Sequence, residues 1–254
     1  MLRLLAELTR VEARACAPGA LLVLPVGAVE QHGPHLPAGT DHLLVSEVAA
    51  RACALAGERI DVVLAPTQPF GSSGHHVPFG ATLSLESATL HLLARDLVHS
   101  AVRGGFRRVF LLNGHGGNDL MLQQVARDVP LELEVDVAAG AYWTIARDAL
   151  AELGAALPGG AAGERCAQLL PGHAGAFETS LVAALRPDLV DHATLPARDL
   201  AAAGDRRSTG GPYRAERHGT WQRIDGYTDS PAAADPAPVS YTHLRAHETR
   251  HDIV

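Results

Sequence analysis

Four short apolar runs punctuate the chain: LLVLPV at 21–26, DVVLAP at 61–66, RRVFLLNG at 107–114 and LELEVDVAAG at 131–140. Between them apolar positions recur with a helical period at about 41–56, 86–103 and 118–128, each segment with a polar face and an Asp or Ser near its start. Strand-length runs alternating with amphipathic segments predict βαβ units, and so a largely parallel sheet covered by helices on both faces. The first residues, MLRLLAELTRVEARACAPGA, carry apolar positions at helical spacing, and HAGAFETSLVAALRPDLV predicts a helix preceded by His173. The Ala/Gly/Pro-rich stretch at 152–172 reads as a loop.

In open parallel sheets, ligands gather beyond the carboxyl ends of the strands. Here the first strand runs into Glu30, His32, His35, Asp41 and His42 among prolines and glycines. The second is followed by TQPFGSSGHH and the third ends in NGHGGND. Three strand ends thus deliver His, Asn, Gly and acidic residues to one rim. In an extended segment Glu30 and His32 project to one side and Gln31 to the other. The Pro/Gly turn then lets the chain double back to Asp41. Alone, Asp41 or Thr40 reads equally well as a helix cap. His115 lies among glycines that let the backbone turn tightly, and NGHGGN has neither a GxGxxG pattern nor the Lys of a P-loop. Glu178 falls in the first turn of its helix, where a carboxylate is favoured with or without a further role.

Glu30, Asp41, Glu178, His32 and His115 together make three carboxylates and two imidazoles with no thiolate, a donor set suited to Zn, Mn or Fe(II). Two dications, three carboxylates and one bridging hydroxide sum to zero charge, which predicts two divalent ions per chain with Asp41 as the bridge. Zinc is the first expectation, manganese and iron(II) the alternatives. The three cysteines, Cys16, Cys53 and Cys166, are far apart and show no CxxC spacing, so they read as small buried apolar residues.

Hydrophobic residues make up 47% of the 254, enough for one sizeable core. A net charge of -7 gives no general attraction to nucleic acid or anionic membranes. Arg3, Glu7, Arg10 and Glu12 interrupt any signal-peptide-like region, and no run reaches the roughly 18 apolar residues of a membrane span. Cytoplasmic residence is expected. One domain is expected over 1–239. VSYTHLRAHETRHDIV, the last sixteen residues, follows a linker-like DSPAAADPAP and lacks an apolar pattern, so residues 240–254 read as a disordered tail foreign to the fold. Deleting them should cost little stability.

PVGAVEQHGPHLPAGTD, NGHGGN and HAGAFETS together resemble the creatininase family of metal-dependent amidohydrolases, over roughly residues 1–232. The resemblance implies a three-layer α/β/α sandwich with a mostly parallel sheet and a metal pair at the strand ends. It implies that Glu30, His32, Asp41 and His115 are metal ligands, with Asp41 bridging, and that His173 assists proton transfer. FGSSGHHVPFGATLSL resembles the substrate-side loop of the family, making Ser73, His75 and His76 candidate substrate contacts, with Asn113 and Asn118 beside them. Creatininase has an acidic ligand two positions after the motif histidine, where this chain has Gly117. Glu178, at the alternative acidic position of the wider family, is therefore the expected fifth ligand and part of the catalytic set with His173. Gly116 and Leu169 stand where creatininase has Tyr and Trp, which makes creatinine an unfavourable substrate.

The implied chemistry is attack of a metal-bound hydroxide on the C–N bond of a small amide, cyclic amide or formamide, in a homo-oligomer (a hexamer or trimer of dimers). Alternatives are cleavage of a short modified peptide, as in mycofactocin maturation, and a catalytically silent metal-binding subunit. A phosphate-binding module built on NGHGGN is disfavoured by the missing Lys.

Overall fold

The computed structural model describes residues 1–150, 172–196, 218–228 and 230–234. Five strands among them form one parallel sheet in the order β1-β3-β2-β4-β5: β1 Leu2–Leu4, β2 Leu21–Val26, β3 Val62–Leu64, β4 Arg108–Asn113 and β5 Asp136–Ala141. The described helices are α1 Arg10–Cys16, α2 Thr40–Ala56, α3 Ser87–Gly104, α4 Asp119–Glu132, α5 Tyr142–Ile145, α6 Ala176–Leu185 and α7 Thr220–Arg223. The Ala/Gly/Pro-rich stretch up to Pro171, Cys166, Leu169 and the tail at 240–254 lie outside the described residues.

The alternation along β2 divides the core. Leu22, Leu24 and Val26 join Val109 and Leu111 of β4 against Leu90, Ala94 and Val98 of α3 and Leu122, Val125 and Val129 of α4. Val23 and Leu112 face the other way, onto Leu44, Val45 and Val48 of α2 and Leu181 and Val182 of α6. The result is the expected three-layer α/β/α sandwich. No helix among the described residues is long and apolar enough to cross a membrane.

Sheet order fixes where a ligand can go. From β2 the chain moves by way of α2 to β3 on one side, and from β4 by way of α4 to β5 on the other, so the strand order reverses between β2 and β4. Their register runs from Leu21↔Arg108 to Val26↔Asn113, so both strands end at one level. The crevice of this switch point opens there.

Two stretches differ from the sequence expectation. MLRLL opens with a strand, β1, whose Leu2, Arg3 and Leu4 pair with Val62, Val63 and Leu64; the helix begins only at Arg10, behind a Thr9/Glu12 capping box. β5 begins at Asp136, because α4 continues through Pro130 to Glu132. A proline in the last turn forfeits one hydrogen bond where the helix is about to end, so its usual penalty is reduced. The predicted strands at 21–26 and 107–114 are in place.

Candidate active site

Past β2 the chain stays extended, and Gly27 lies so close to the start of α2 that a Cβ there would come 2.7 Å from His42 Cα. Gly33, at φ +65°, turns the chain, and a bridge between His32 and Leu36 returns it to Thr40 and Asp41. Asp41 does not cap α2: its N-cap is Gly39, with no side-chain cap bond, and Thr40 Oγ1 donates to Pro37 O at 2.7 Å. The Asp41 carboxylate is left for the interior. Past β4, Gly114 packs onto the Val45 side chain, and Asn113 Oδ1 accepts from His115 N at 3.0 Å. Asn118 holds the rim together, accepting from Ser72 N at 2.9 Å and donating to Gly27 O at 3.1 Å. Its amide is engaged in scaffold, whereas Asn113 Nδ2 is buried without a hydrogen-bond partner among the described residues.

The structure brings Glu30, His32, Asp41, His115, His173 and Glu178 together, all buried. Asp41 faces two ways: Oδ1 lies 3.2 Å from His32 Nε2 and Oδ2 lies 3.0 Å from His115 Nδ1. Glu178 Oε2 is 3.7 Å from His32 Nε2, on one side. Glu30 Oε1 is 3.2 Å from His115 Nδ1 and 3.3 Å from His173 Nδ1, on the other. Glu178 Oε2 also accepts from Ala174 N at 2.6 Å, so the helix-start role and the site role coexist.

Ring orientation shows what the cluster requires. A carbonyl only accepts, so His32 Nδ1 donates to Glu30 O at 3.0 Å and His115 Nε2 donates to Ser72 O at 3.1 Å. In the neutral rings the nitrogens facing the carboxylates are therefore lone pairs, and lone pairs opposite anions call for a cation between them. Neither oxygen of Glu30, fully buried, has a hydrogen-bond partner among the described residues, nor does Asp41 Oδ2. Glu30, His32 and Asp41 form one group with ligand atoms within 4.8 Å of one another, and His32, His173 and Glu178 form another. Oxygen and imidazole donors with unsatisfied, inward-facing atoms fit divalent metal.

Without metal, protons answer the same demand. Burial lowers the affinity of His32 for a proton, but Asp41 and Glu178 outweigh it and hold its pKa well above the ordinary value; Glu30 and Asp41 do the same for His115. Burial would raise the Asp41 carboxyl, yet His32 and His115 hold it below its usual range. Glu178 is raised, chiefly by burial. His173 is driven well below its ordinary value by burial and by His32 and His76, so it is neutral.

The family profile for creatininase, described as creatinine amidohydrolase, matches residues 6–239. The chain belongs to the creatininase family. It is 35% identical to creatinine amidohydrolase of Pseudomonas putida over 193 residues, 71% of this chain and 70% of that one. It is 42% identical over 100 residues to the mycofactocin precursor peptide peptidase of Mycolicibacterium smegmatis, 39% of this chain and 40% of that one. A crystal structure of creatininase superposes with a TM-score of 0.74 at 28% identity, covering 96% of this chain and 93% of the other. Similar creatininase structures are described as Zn-Zn type and as Creatininase Mn, with TM-scores of 0.71 and 0.72 at 28% and 27% identity, covering 96% of this chain and 94% and 95% of theirs. As a creatininase-family amidohydrolase, the chain is a metal-binding hydrolase of carbon–nitrogen bonds other than ordinary peptide bonds.

Against the creatininase pattern, Gly117 has a steric cause. A Cβ there would run into Ser72 O and His115 Nε2, so the loop that anchors His115 leaves no room for an acidic side chain. Gly117→Ala is expected to cost about 1–3 kcal/mol, the usual range for overpacking. Denaturant titration checks this, and unchanged stability would show that the loop yields freely.

Of the remaining expected contacts, Ser73 Oγ is 3.3 Å from His115 Nε2, and the His75 ring stacks at 6.0 Å from His115. His76 is fully buried between rings, 4.1 Å from His173 and 4.3 Å from Trp221. Burial, then His75, His115 and His32, push its pKa down to about 2. Two site residues were not anticipated. Trp221 of α7 packs on His75, His76 and His173, and only its rarity, as one of two tryptophans, marked it in the sequence. Gln31 is buried, its Nε2 2.8 Å from His76 Nδ1, and its backbone oxygen accepts from His173 Nε2 at 2.8 Å. The side opposite Glu30 and His32 is not open, because the chain beyond residue 225 wraps over it, where Gly226 O accepts from the Gln31 amide at 2.6 Å.

Proposed function

We propose that the protein is a binuclear metal-dependent amidohydrolase that cleaves a C–N bond in a small amide, cyclic amide or formamide. The observation that carries this reading is the two-sided Asp41 carboxylate, one oxygen toward His32 and the other toward His115. In this reading Asp41 bridges, His32 and Glu178 complete one site, and Glu30 and His115 complete the other. When bound, the metal would acidify water and polarise the substrate carbonyl. His173, with Nε2–H tied to Gln31 O, keeps its proton-free Nδ1 toward the interior. Being neutral, it takes the proton of the attacking water first and returns it to the leaving nitrogen, which is too basic to depart as an anion. Ser73, His75 and His76 line the substrate side. Zinc, manganese and iron(II) all suit the donor set, and the proposal includes a homo-oligomer in the cytoplasm.

A second reading, cleavage of a short modified peptide, is supported by the similarity to the mycofactocin peptidase. Both are tested on protein reconstituted with Zn, Mn or Fe(II), by elemental analysis and by turnover of a panel of formamides, cyclic amides and dipeptide amides. The expected result is about two ions per chain and turnover of one compound class; one ion per chain would remove the binuclear reading.

The titrations supply a further expectation. The raised His32 and His115 stabilise the metal-free fold fully below their unfolded pKa of about 6.5, and this is lost as pH rises through their folded values. Depressed Asp41 acts oppositely, stabilising above about 3.9 and losing that as pH falls. The depressed His173 and His76 stay neutral while their unfolded counterparts take up protons, so their share is lost as pH falls below about 6.5. Chelated protein should therefore melt highest near pH 6.5 and lose stability above it as the raised pair releases its protons. Zinc-loaded protein should show the reverse slope, because protons compete with the metal for the same nitrogens. Melting curves across pH with and without chelator check this.

A further inference from the structure

His76 presents a buried imidazole that the metal sites do not use. Its protonation can be read from the backbone through Gln31. The Gln31 side-chain oxygen accepts from Gly33 N at 2.9 Å, and its side-chain nitrogen donates to Gly226 O at 2.6 Å. Exchanging the two amide ends would set oxygen against oxygen and N–H against NH₂, so the orientation is fixed from both sides. One amide hydrogen remains, with two ring nitrogens in reach, His76 Nδ1 at 2.8 Å and His173 Nε2 at 3.1 Å, but the latter donates to Gln31 O and so cannot accept. His76 Nδ1 must accept it, which puts the ring proton on Nε2.

That Nε2 is buried, has no hydrogen-bond partner among the described residues, and lies 3.7 Å from Glu30 Oε1 at the edge of the cluster. An N–H in this state cannot be a metal ligand, although Glu30, His76 and His173 lie close enough together to hold an ion. Instead it is a buried donor without an acceptor, held rigid between the His173 and Trp221 rings. A buried donor without a partner is costly unless a ligand supplies the acceptor.

We propose that His76 is a catalytic hydrogen-bond donor that holds the carbonyl oxygen of the substrate amide as negative charge develops on it, and that Gln31 is the positioning residue that fixes its tautomer. This rests on the amidohydrolase reading above. A neutral N–H aimed where charge develops stabilises the transition state without itself losing a proton.

The experiment uses zinc-loaded protein with ¹⁵N-labelled histidines. Long-range ¹H–¹⁵N spectra, with the His76 ring assigned by its absence in His76→Gln, should show a neutral ring protonated on Nε2, and Gln31→Leu should abolish that single tautomer. On the best substrate of the amide panel, His76→Ala should keep both zinc ions, lower kcat about 10²- to 10³-fold and change KM little. His76→Gln, whose amide N–H stands near the lost Nε2–H, should recover most of that rate, and His76→Asn should not. A wild-type ring protonated on Nδ1, or zinc loss in His76→Ala, overturns the proposal alone. Absence of turnover with every compound overturns the amide reading and this use of His76 with it.

Discussion

Asp41→Ala is expected to empty both metal positions and to lower activity by at least about 100-fold. A single carboxylate here serves two imidazoles that stand on different segments, His32 on the turn after β2 and His115 after β4. Removing it leaves each half-site with one carboxylate and one imidazole, too few for a tight divalent ion in an N/O site. The Lewis-acid contribution lost is several kcal/mol, and each 1.36 kcal/mol is about tenfold in rate, which sets the lower bound. Asp41→Asn keeps one coordinating oxygen and should retain about one ion. Elemental analysis after dialysis, with activity measured alongside, reads both variants. A full complement in Asp41→Ala would end the bridging assignment.

His173→Ala and Glu178→Ala should separate cleanly. His173→Ala should retain both ions and lose roughly 10²- to 10⁴-fold in rate, the usual worth of a positioned proton-transfer group. Glu178→Ala should lose one ion and activity together, and excess metal should restore only this variant. The pH profile gives an independent reading. Since the His173 pKa is driven down by burial and neighbouring imidazoles, its neutral, accepting form is already present well below pH 6.5. Activity should rise through that lowered pKa on the acidic side, and His173→Ala should flatten this limb. Metal loss from His173→Ala, or two ions retained by Glu178→Ala, would exchange the two roles.

How much of this was legible in the sequence varied with the length of the signal. β2 and β4 are six-residue strands, LLVLPV and RVFLLN, with apolar centres and motif residues beyond or at their ends, so strand, polarity and rim could all be read from them. β1 could not: three residues at the sheet edge carry no period of their own, and LRLLAEL matches a helix equally well. The Glu30, His32, Asp41 and His115 cluster was visible because each follows a strand end or helix start. The part Gln31 plays at the site could not be read from the sequence, for a physical reason. Side-chain alternation gives direction relative to the local strand, but not whether a distant segment will fold over the other side, as the chain at Gly226 does. Trp221 was hidden by the same kind of long-range closure. Gly117 showed that an expected ligand was missing, and the packing of its loop shows why nothing larger could stand there.

The parts that meet at the rim are far apart along the polypeptide: His173 bonds to a residue 142 positions earlier, and Gly226 to one 195 positions earlier. During synthesis at about 5–20 residues per second, the EQH segment leaves the ribosome roughly 10 to 40 s before Gly226 can close over it. Until Glu178 emerges, the nascent chain holds an incomplete set of the proposed donors, too few to bind a divalent ion tightly. On this ligand assignment tight loading waits for Glu178, and the rim closes over the site only when Gly226 follows.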